Sequence, residues 1–305
     1  MNLSEKNTYK GEFISIPDDR YVQTRIITKN GDSIDHLAVR DFLPSDPWSV
    51  FFMDTLRDLS TRNFFQGEAL TEFGVGDWRC PRVIGEGPTV VAGIDVESWR
   101  LDAALVNIKN SNRDGALSIP IHAHALEYLD LCKENTETIS GRGIMCLPQS
   151  PQGENAADRY DVKDGNRISE ILGLYDGEWG RYGLTLNAAV LAELKKVAHR
   201  DFRQVVILSD RVPEDIRKEM ISATGWNIEE SFQTDEPIQQ DPDTPIGWVT
   251  EFDDGERFWG KNGNQYTSIS AGDAEERRQA SVDQKLGRDA LNVYHHLSIY
   301  VLAPV

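Results

Sequence analysis

The chain has 305 residues, with 32 Lys and Arg against 50 Asp and Glu, a formal net charge of −18 and 39% hydrophobic residues. A chain of this size and composition buries a sizeable core, as one large domain or two small ones, which excludes disorder as its main state. Nucleic-acid affinity comes largely from Lys and Arg displacing counterions, so the acidic balance argues against nucleic acid and anionic membranes as partners.

Residues 1–45 read as an N-terminal extension, helical or irregular apart from short extended pieces, two of which are divided by the Asn30-Gly31-Asp32 turn. Residues 46–305 read as one α/β domain. From Pro47, the segment WSVFFMDTLRDLSTRNFF sets Val50, Met53, Leu56 and Leu59 at helical spacing, behind Asp46 as N-cap and Pro47 at the first helical position. Short apolar runs follow at Ala69–Phe73, Thr89–Ile94, Ser118–His122, Gly143–Leu147 and Gln204–Leu208, with helical stretches at Trp99–Asn110, Leu186–His199 and Glu214–Thr224. Strands alternating with helices predict a parallel sheet with βαβ crossovers. Beyond them lie a polar, Pro-containing surface loop, QTDEPIQQDPDTP, a strand-like piece at Gly247–Phe252, a polar stretch from Gly272 to Gly287, and a final apolar run, NVYHHLSIYVLAP.

The three cysteines, Cys80, Cys132 and Cys146, are odd in number and far apart, which fits a reduced cytoplasmic compartment better than a disulfide framework. The N-terminal MNLSEKNTYKGEF has no apolar export segment and no run of 18 apolar residues occurs, so neither export nor membrane spanning is expected. Histidines pair at His122 and His124 and at His295 and His296, but without an HExxH or a Cys/His ligand set, so no metal site is expected.

The strongest chemical signal is ALTEFGVGDWRC at residues 69–80, where an apolar strand runs into Gly74-Val75-Gly76. Two glycines at a strand end let the backbone pass close under a ligand. A dinucleotide fingerprint needs a third glycine where Arg79 stands, which disfavours NAD and FAD. The next strand, in VVAGIDVESWRLDAALVNI, ends at Asp95, where a carboxylate can accept both hydroxyls of a ribose. Glu72, at the end of the first strand, can face a ligand ammonium.

Together, Glu72-x-Gly74-x-Gly76 followed by Asp95 resembles the class I S-adenosylmethionine-dependent methyltransferases, over roughly residues 45–230. The resemblance implies a Rossmann-like sheet with helices on both faces, and S-adenosylmethionine as cofactor with S-adenosylhomocysteine as product. It implies cofactor contacts from Glu72, Phe73, Gly74, Gly76, Asp95, Val96, His124, Ala125 and Leu147. The family commonly has an acid near the adenine at the end of the third strand; here His124 stands in its place.

The segment after the fourth strand narrows the resemblance. Methyltransferases acting on glutamine or adenine carry Asn-Pro-Pro-Tyr there to hold a planar NH2 group, whereas this chain has Cys146-Leu147-Pro148-Gln149. With GEWGRYGLTLNAAVLAEL beginning at Gly177, and Glu178, Tyr182, Gly183 and Leu184 matching a later acidic, aromatic, Gly-Leu segment, it is similar to the methionine S-methyltransferases. That resemblance implies S-methylmethionine as product, the opening step of dimethylsulfoniopropionate synthesis. It also implies a homodimer, with the acceptor site completed by the adjacent subunit through 160–182 or the N-terminal extension.

A thioether sulfur carries no proton, so its methylation needs no general base and no catalytic side chain is expected. Alignment of the two sulfurs and the methyl carbon supplies up to ~7–11 kcal/mol when the geometry is good, and desolvation sharpens it. On the acceptor side the candidates are Pro148 and Gln149, then the aromatics Tyr160, Tyr175, Trp179 and Tyr182, whose faces attract a sulfonium by roughly 0.5–2 kcal/mol. Arg181 or Arg159 could take the acceptor carboxylate, and Asp158, Asp176 or Glu178 its ammonium. A methyltransferase acting on proteins or other small molecules, and a noncatalytic adenosine-binding protein, are the alternatives.

Overall fold

A computed structural model describes residues 47–76, 80, 84, 87–109, 117–149, 166–240, 246, 249, 257–284 and 291–305, and the backbone of four strands within the first 46. Those four are β1 (Thr8–Tyr9) and β2 (Glu12–Phe13), which pair antiparallel, and β3 (Tyr21–Ile27) and β4 (Ser33–Val39), which pair from Tyr21↔Val39 to Ile27↔Ser33. The described part of the extension is therefore extended rather than helical. The Asn30-Gly31-Asp32 turn and the Asp46 N-cap lie outside the described residues. Helix α1 spans Pro47–Thr61; Met53, Leu56 and Leu59 of its apolar stripe are buried, and Val50 is half-buried.

The chain then alternates through β5 (Ala69–Phe73), β6 (Val90–Asp95), α2 (Ser98–Lys109), β7 (Leu117–His122), α3 (Ala125–Glu134), β8 (Arg142–Met145), α4 (Arg167–Trp179), α5 (Thr185–Val197), β9 (Arg203–Ser209), α6 (Glu214–Ala223) and β10 (Trp226–Gln233). After β10 come β11 (Ile238–Gln239), β12 (Phe258–Asn262), β13 (Gln265–Ile269), α7 (Ala271–Asp283), β14 (Tyr294–His295) and β15 (Leu297–Pro304). Seven strands form a mixed sheet in the order β10-β15-β9-β8-β5-β6-β7, with one reversed strand and helices against both faces. The pairs β5–β6, β6–β7, β5–β8 and β8–β9 are parallel, as the alternation predicted. From β5 the chain steps outward to β6 and β7, then returns to β8 on the opposite flank of β5. That reversal puts a topological switch point at the carboxyl ends of β5 and β8, where open α/β sheets bind ligands.

By compactness the chain divides into a first unit of residues 1–147, 193–206 and 301–305 and a second of 148–192 and 207–300. In the first, Leu70, Phe73, Val91, Ile94, Ile144 and Met145 are almost wholly buried, as expected of parallel strands covered on both faces. Its edge strand β7 carries its own protection. The amides of Leu117 and Ala123 donate inward, to Thr89 and Asp95, so by alternation the amides of residues 118, 120 and 122 point to the open edge. At the centre of that edge stands Pro120, which has no N–H to offer a neighbouring strand.

The second unit contains a separate four-stranded sheet, ordered β11-β14-β12-β13, lying in the chain between β10 and β15. Its core is Ile246, Val249, Phe258, Ala271, Ala274, Leu291 and Val293, with Ile269 packed against it. β12 and β13 form a hairpin closed at Asn262↔Gln265, with Gly263 at φ +60° in its two-residue turn. The polar stretch from Gly272, to which the sequence reading assigned no element, is largely helix α7. Ser270 caps it by accepting the Asp273 amide at 3.0 Å, and its buried face is built from Ala271, Ala274 and Ser281 with Arg278 held by Glu275. Such a face lacks the large apolar residues that reveal a helix by periodicity. Of the strand expected at Gly247–Phe252, only Val249 is among the described residues.

Candidate functional site

The tips of β5, β6 and β8 in the first unit bring most of the expected cofactor residues together. Gly74 follows β5 at φ +77°, and its amide donates to the Ile94 carbonyl at 3.0 Å. A β-carbon there would lie 2.7 Å from the Cys146 carbonyl oxygen and 3.2 Å from Leu147 Cδ2, so the chain itself excludes any other residue. Gly76, at φ +55°, differs: among the described residues a β-carbon would meet nothing within 4 Å.

Asp95 closes β6 and is 7% exposed. Its Oδ2 accepts the Gly76 amide at 2.9 Å and its Oδ1 the Glu97 amide at 2.9 Å, which fixes the plane of the carboxylate. Each oxygen has a further lone pair, so the group can still accept hydroxyls. Glu72 lies on β5, 1% exposed, while the neighbour of Asp95, Val96, is 53% exposed, an apolar side chain left in the open at a strand tip. The carbonyl of Val96 is held by His122 Nε2 at 2.9 Å.

His124 has a local task. It is the N-cap of α3: its Nδ1 accepts the Leu126 amide at 3.2 Å, and its own amide donates to Glu127 Oε2 at 3.4 Å. An accepting Nδ1 requires the neutral ring, with the proton on Nε2. Burial lowers the pKa below the ordinary histidine value against the opposing pull of Glu127, which agrees with that tautomer. Ala125, the first residue of α3, is buried. Phe73 contributes through its backbone, whose carbonyl accepts the Cys146 amide at 3.2 Å; its ring is fully buried, with its centroid 6.4 Å from that of Tyr128. Leu147 is half-buried beside Gly74.

The acceptor candidates fall in the second unit. Asp158, Arg159 and Tyr160 lie outside the described residues. Trp179 and Tyr182 are buried at 3% and 4% exposure, Tyr175 is half-buried, and Arg181 is exposed. The Arg181 guanidinium sits 4.5 Å over the Tyr182 ring centroid and donates to its hydroxyl. Asp176 accepts from Thr185 Oγ1 at 2.9 Å, and Glu178 is exposed. Pro148 is exposed and its carbonyl accepts from Asn187 Nδ2 at 3.3 Å. The Gln149 carboxamide is engaged at both ends by β9, donating to Ile207 O at 3.4 Å and accepting from Ser209 N at 3.1 Å. Sequence reasoning missed Asn187, whose signal is a lone amide in the apolar run LTLNAAVL. Among the described residues no group of His, Cys, Asp and Glu could hold a metal ion, and no helix is long and apolar enough to cross a membrane.

No protein-family model matches the chain, and comparison with curated proteins finds no match. Solved structures do resemble it. SMU.776, a candidate methyltransferase solved in complex with SAH, has a TM-score of 0.53 at 7% identity, over 95% of this chain and 58% of that one. This chain thus spans little more than half the length of that neighbour. A SAM-dependent methyltransferase from Thiobacillus denitrificans in complex with S-adenosyl-L-homocysteine has a TM-score of 0.44 at 12% identity, over 83% of this chain and 91% of that one. Magnesium protoporphyrin IX methyltransferase from Synechocystis PCC 6803 with bound SAM has a TM-score of 0.41 at 10% identity, over 83% and 81%. At such identities likeness speaks for the fold alone, and SMU.776 carries it. The fold is that of the class I SAM-dependent methyltransferases.

Proposed function

We propose that the chain is an S-adenosylmethionine-dependent methyltransferase whose acceptor is the thioether sulfur of free L-methionine. The observation that carries the cofactor half is the pairing of Gly76 with Asp95: a glycine with no described residue within 4 Å of its β-carbon position, beside a carboxylate already oriented by two amides. These residues fit an adenosyl sulfonium. Asp95 would take the ribose hydroxyls, Val96 would cover an adenine face, and Glu72 would offset the ammonium or sulfonium charge. SMU.776, of the same fold, was solved with SAH, which supports the choice of ligand.

When bound, the cofactor supplies an electrophilic methyl group on a positively charged sulfur. The acceptor sulfur forms one S–C bond as the other breaks, positive charge passes from sulfur to sulfur, and no proton is released. The protein's part is alignment and exclusion of water, worth up to ~7–11 kcal/mol. The choice of methionine is supported by Cys146-Leu147-Pro148-Gln149, which has no amide at its first position, and by the Glu178-to-Leu184 segment. We take the protein to act as a homodimer in the cytoplasm.

Incubation of the purified protein with methyl-labelled S-adenosylmethionine and each free amino acid tests this. S-methylmethionine formed with methionine alone is the expected result. Label appearing only on protein, or on no acceptor, would contradict it.

A further inference from the structure

We infer that Gln149 and Asn187 are positioning residues that hold the Pro148 peptide in place, and that Gln149 is not a ligand of the substrate. This rests on the methyl-transfer function proposed above. Backbone pairing between β8 and β9 ends at Met145↔Val206, and the Cys146 amide faces the other neighbour, donating to the Phe73 carbonyl as the β5–β8 ladder requires. Within the second unit, the Gln149 side chain takes up the pairing that backbone has abandoned. Its Nε2 donates to Ile207 O and its Oε1 accepts from Ser209 N, the two β9 groups that flank Leu208. In a parallel ladder a partner residue bonds to those same two groups. A carboxamide with one donor and one acceptor in a plane reproduces that bridge, which an ionised carboxylate, an acceptor only, cannot do.

The second contact points the same way. Asn187 is wholly buried in α5, and its Nδ2 donates to the Pro148 carbonyl. A carbonyl can only accept, so the amide orientation is settled and Oδ1 faces away, with no hydrogen-bond partner among the described residues. A buried amide half-satisfied in this way is a cost to folding compared with an apolar residue of similar shape. Fold stability alone gives no reason for an asparagine there; fixing the Pro148 carbonyl does.

Three variants decide the matter: Gln149→Met, Gln149→Glu and Asn187→Leu. Hydrogen exchange at the Ser209 amide is expected to quicken about tenfold or more in Gln149→Met, which removes its acceptor, and less in Gln149→Glu, which keeps one. Turnover with methionine is expected to fall by about a hundredfold in Gln149→Met and Asn187→Leu, with S-adenosylmethionine affinity unchanged. In Asn187→Leu that loss is expected beside an unchanged or raised melting temperature, which a merely structural hydrogen bond would not give. Unchanged kcat in both variants, or an Asn187→Leu protein losing stability and activity together, would overturn the inference. A wild type that binds the cofactor but leaves methionine unmethylated would defeat the proposed acceptor before any variant is made; unaltered Ser209 exchange in Gln149→Met would defeat the clamp whatever the acceptor.

Discussion

Gly74 and Cys146, neighbours across the tips of β5 and β8, are so close that a β-carbon on the glycine would lie 2.7 Å from the cysteine's carbonyl oxygen. Gly76, two residues on, has no such neighbour among the described residues. The two glycines therefore differ: the fold requires the first, and the proposed cofactor would lie over the second. Gly74→Ala combines a left-handed backbone with a clash against immobile backbone and is expected to cost roughly 2–5 kcal/mol. Gly76→Ala carries only the left-handed term, roughly 1–2 kcal/mol, and is expected to fold. Its S-adenosylmethionine affinity should nonetheless drop by more than about tenfold, or 1.4 kcal/mol. Denaturant melts and calorimetric titration of the two variants check both halves.

Asp95→Asn keeps the volume and replaces one acceptor oxygen by an NH2 group. One of the amides of Gly76 and Glu97 then loses its partner, for about 1–3 kcal/mol, and the charge that would hold ribose hydroxyls is gone. Lower stability with cofactor binding weakened at least about tenfold is expected. An Asp95→Asn protein that binds as well as wild type would show that the carboxylate serves the turn and not the ligand.

The cap at His124 sets a pH dependence. Its folded pKa lies below the ordinary value of 6.5, so between the two the unfolded chain binds more protons. Stability from this residue is therefore complete above pH 6.5 and declines as the pH falls below it. His124→Asp supplies an N-cap acceptor that stays ionised through that window. The stability of the variant, followed by urea melts across that interval, is expected to fall less on acidification than that of the wild type.

Asp210, just past β9, accepts from Arg217, from Gln233 and from Ser298 Oγ, the last at 2.7 Å, and both members of the Asp210–Arg217 pair are buried. Removing the acid strands a buried guanidinium. Asp210→Ala is expected to lose about 3–5 kcal/mol, far more than Lys218→Ala at the exposed Glu214–Lys218 pair, whose charges are screened by solvent. Equal melting points for the two variants would contradict this.

The strands of the parallel half were legible because they are short apolar runs, and their observed bounds differ from the sequence reading by a residue or two; helix α3, between β7 and β8, was not read. The same holds for Gly74, Gly76 and Asp95, where residue type and strand end coincide. What escaped had weaker marks. Helix α7 buries alanines and a paired arginine, which no apolar periodicity reveals. The β12–β13 hairpin was hidden in a region too polar to suggest a core, although Asn262-Gly263-Asn264 is a turn signal. Gln149 and Asn187 make contacts between groups 39 to 60 residues apart, which no local pattern encodes. Trp179 and Tyr182 looked alike from sequence whether lining a site or filling a core; both are buried.

The most direct measurement is calorimetric titration of S-adenosylmethionine into the wild type and into Asp95→Ala at equal concentration. A saturable site of one ligand per chain in the wild type, weakened at least about tenfold in the variant, is the predicted result. Absence of binding to a folded wild type, or the same affinity in both proteins, would contradict the account.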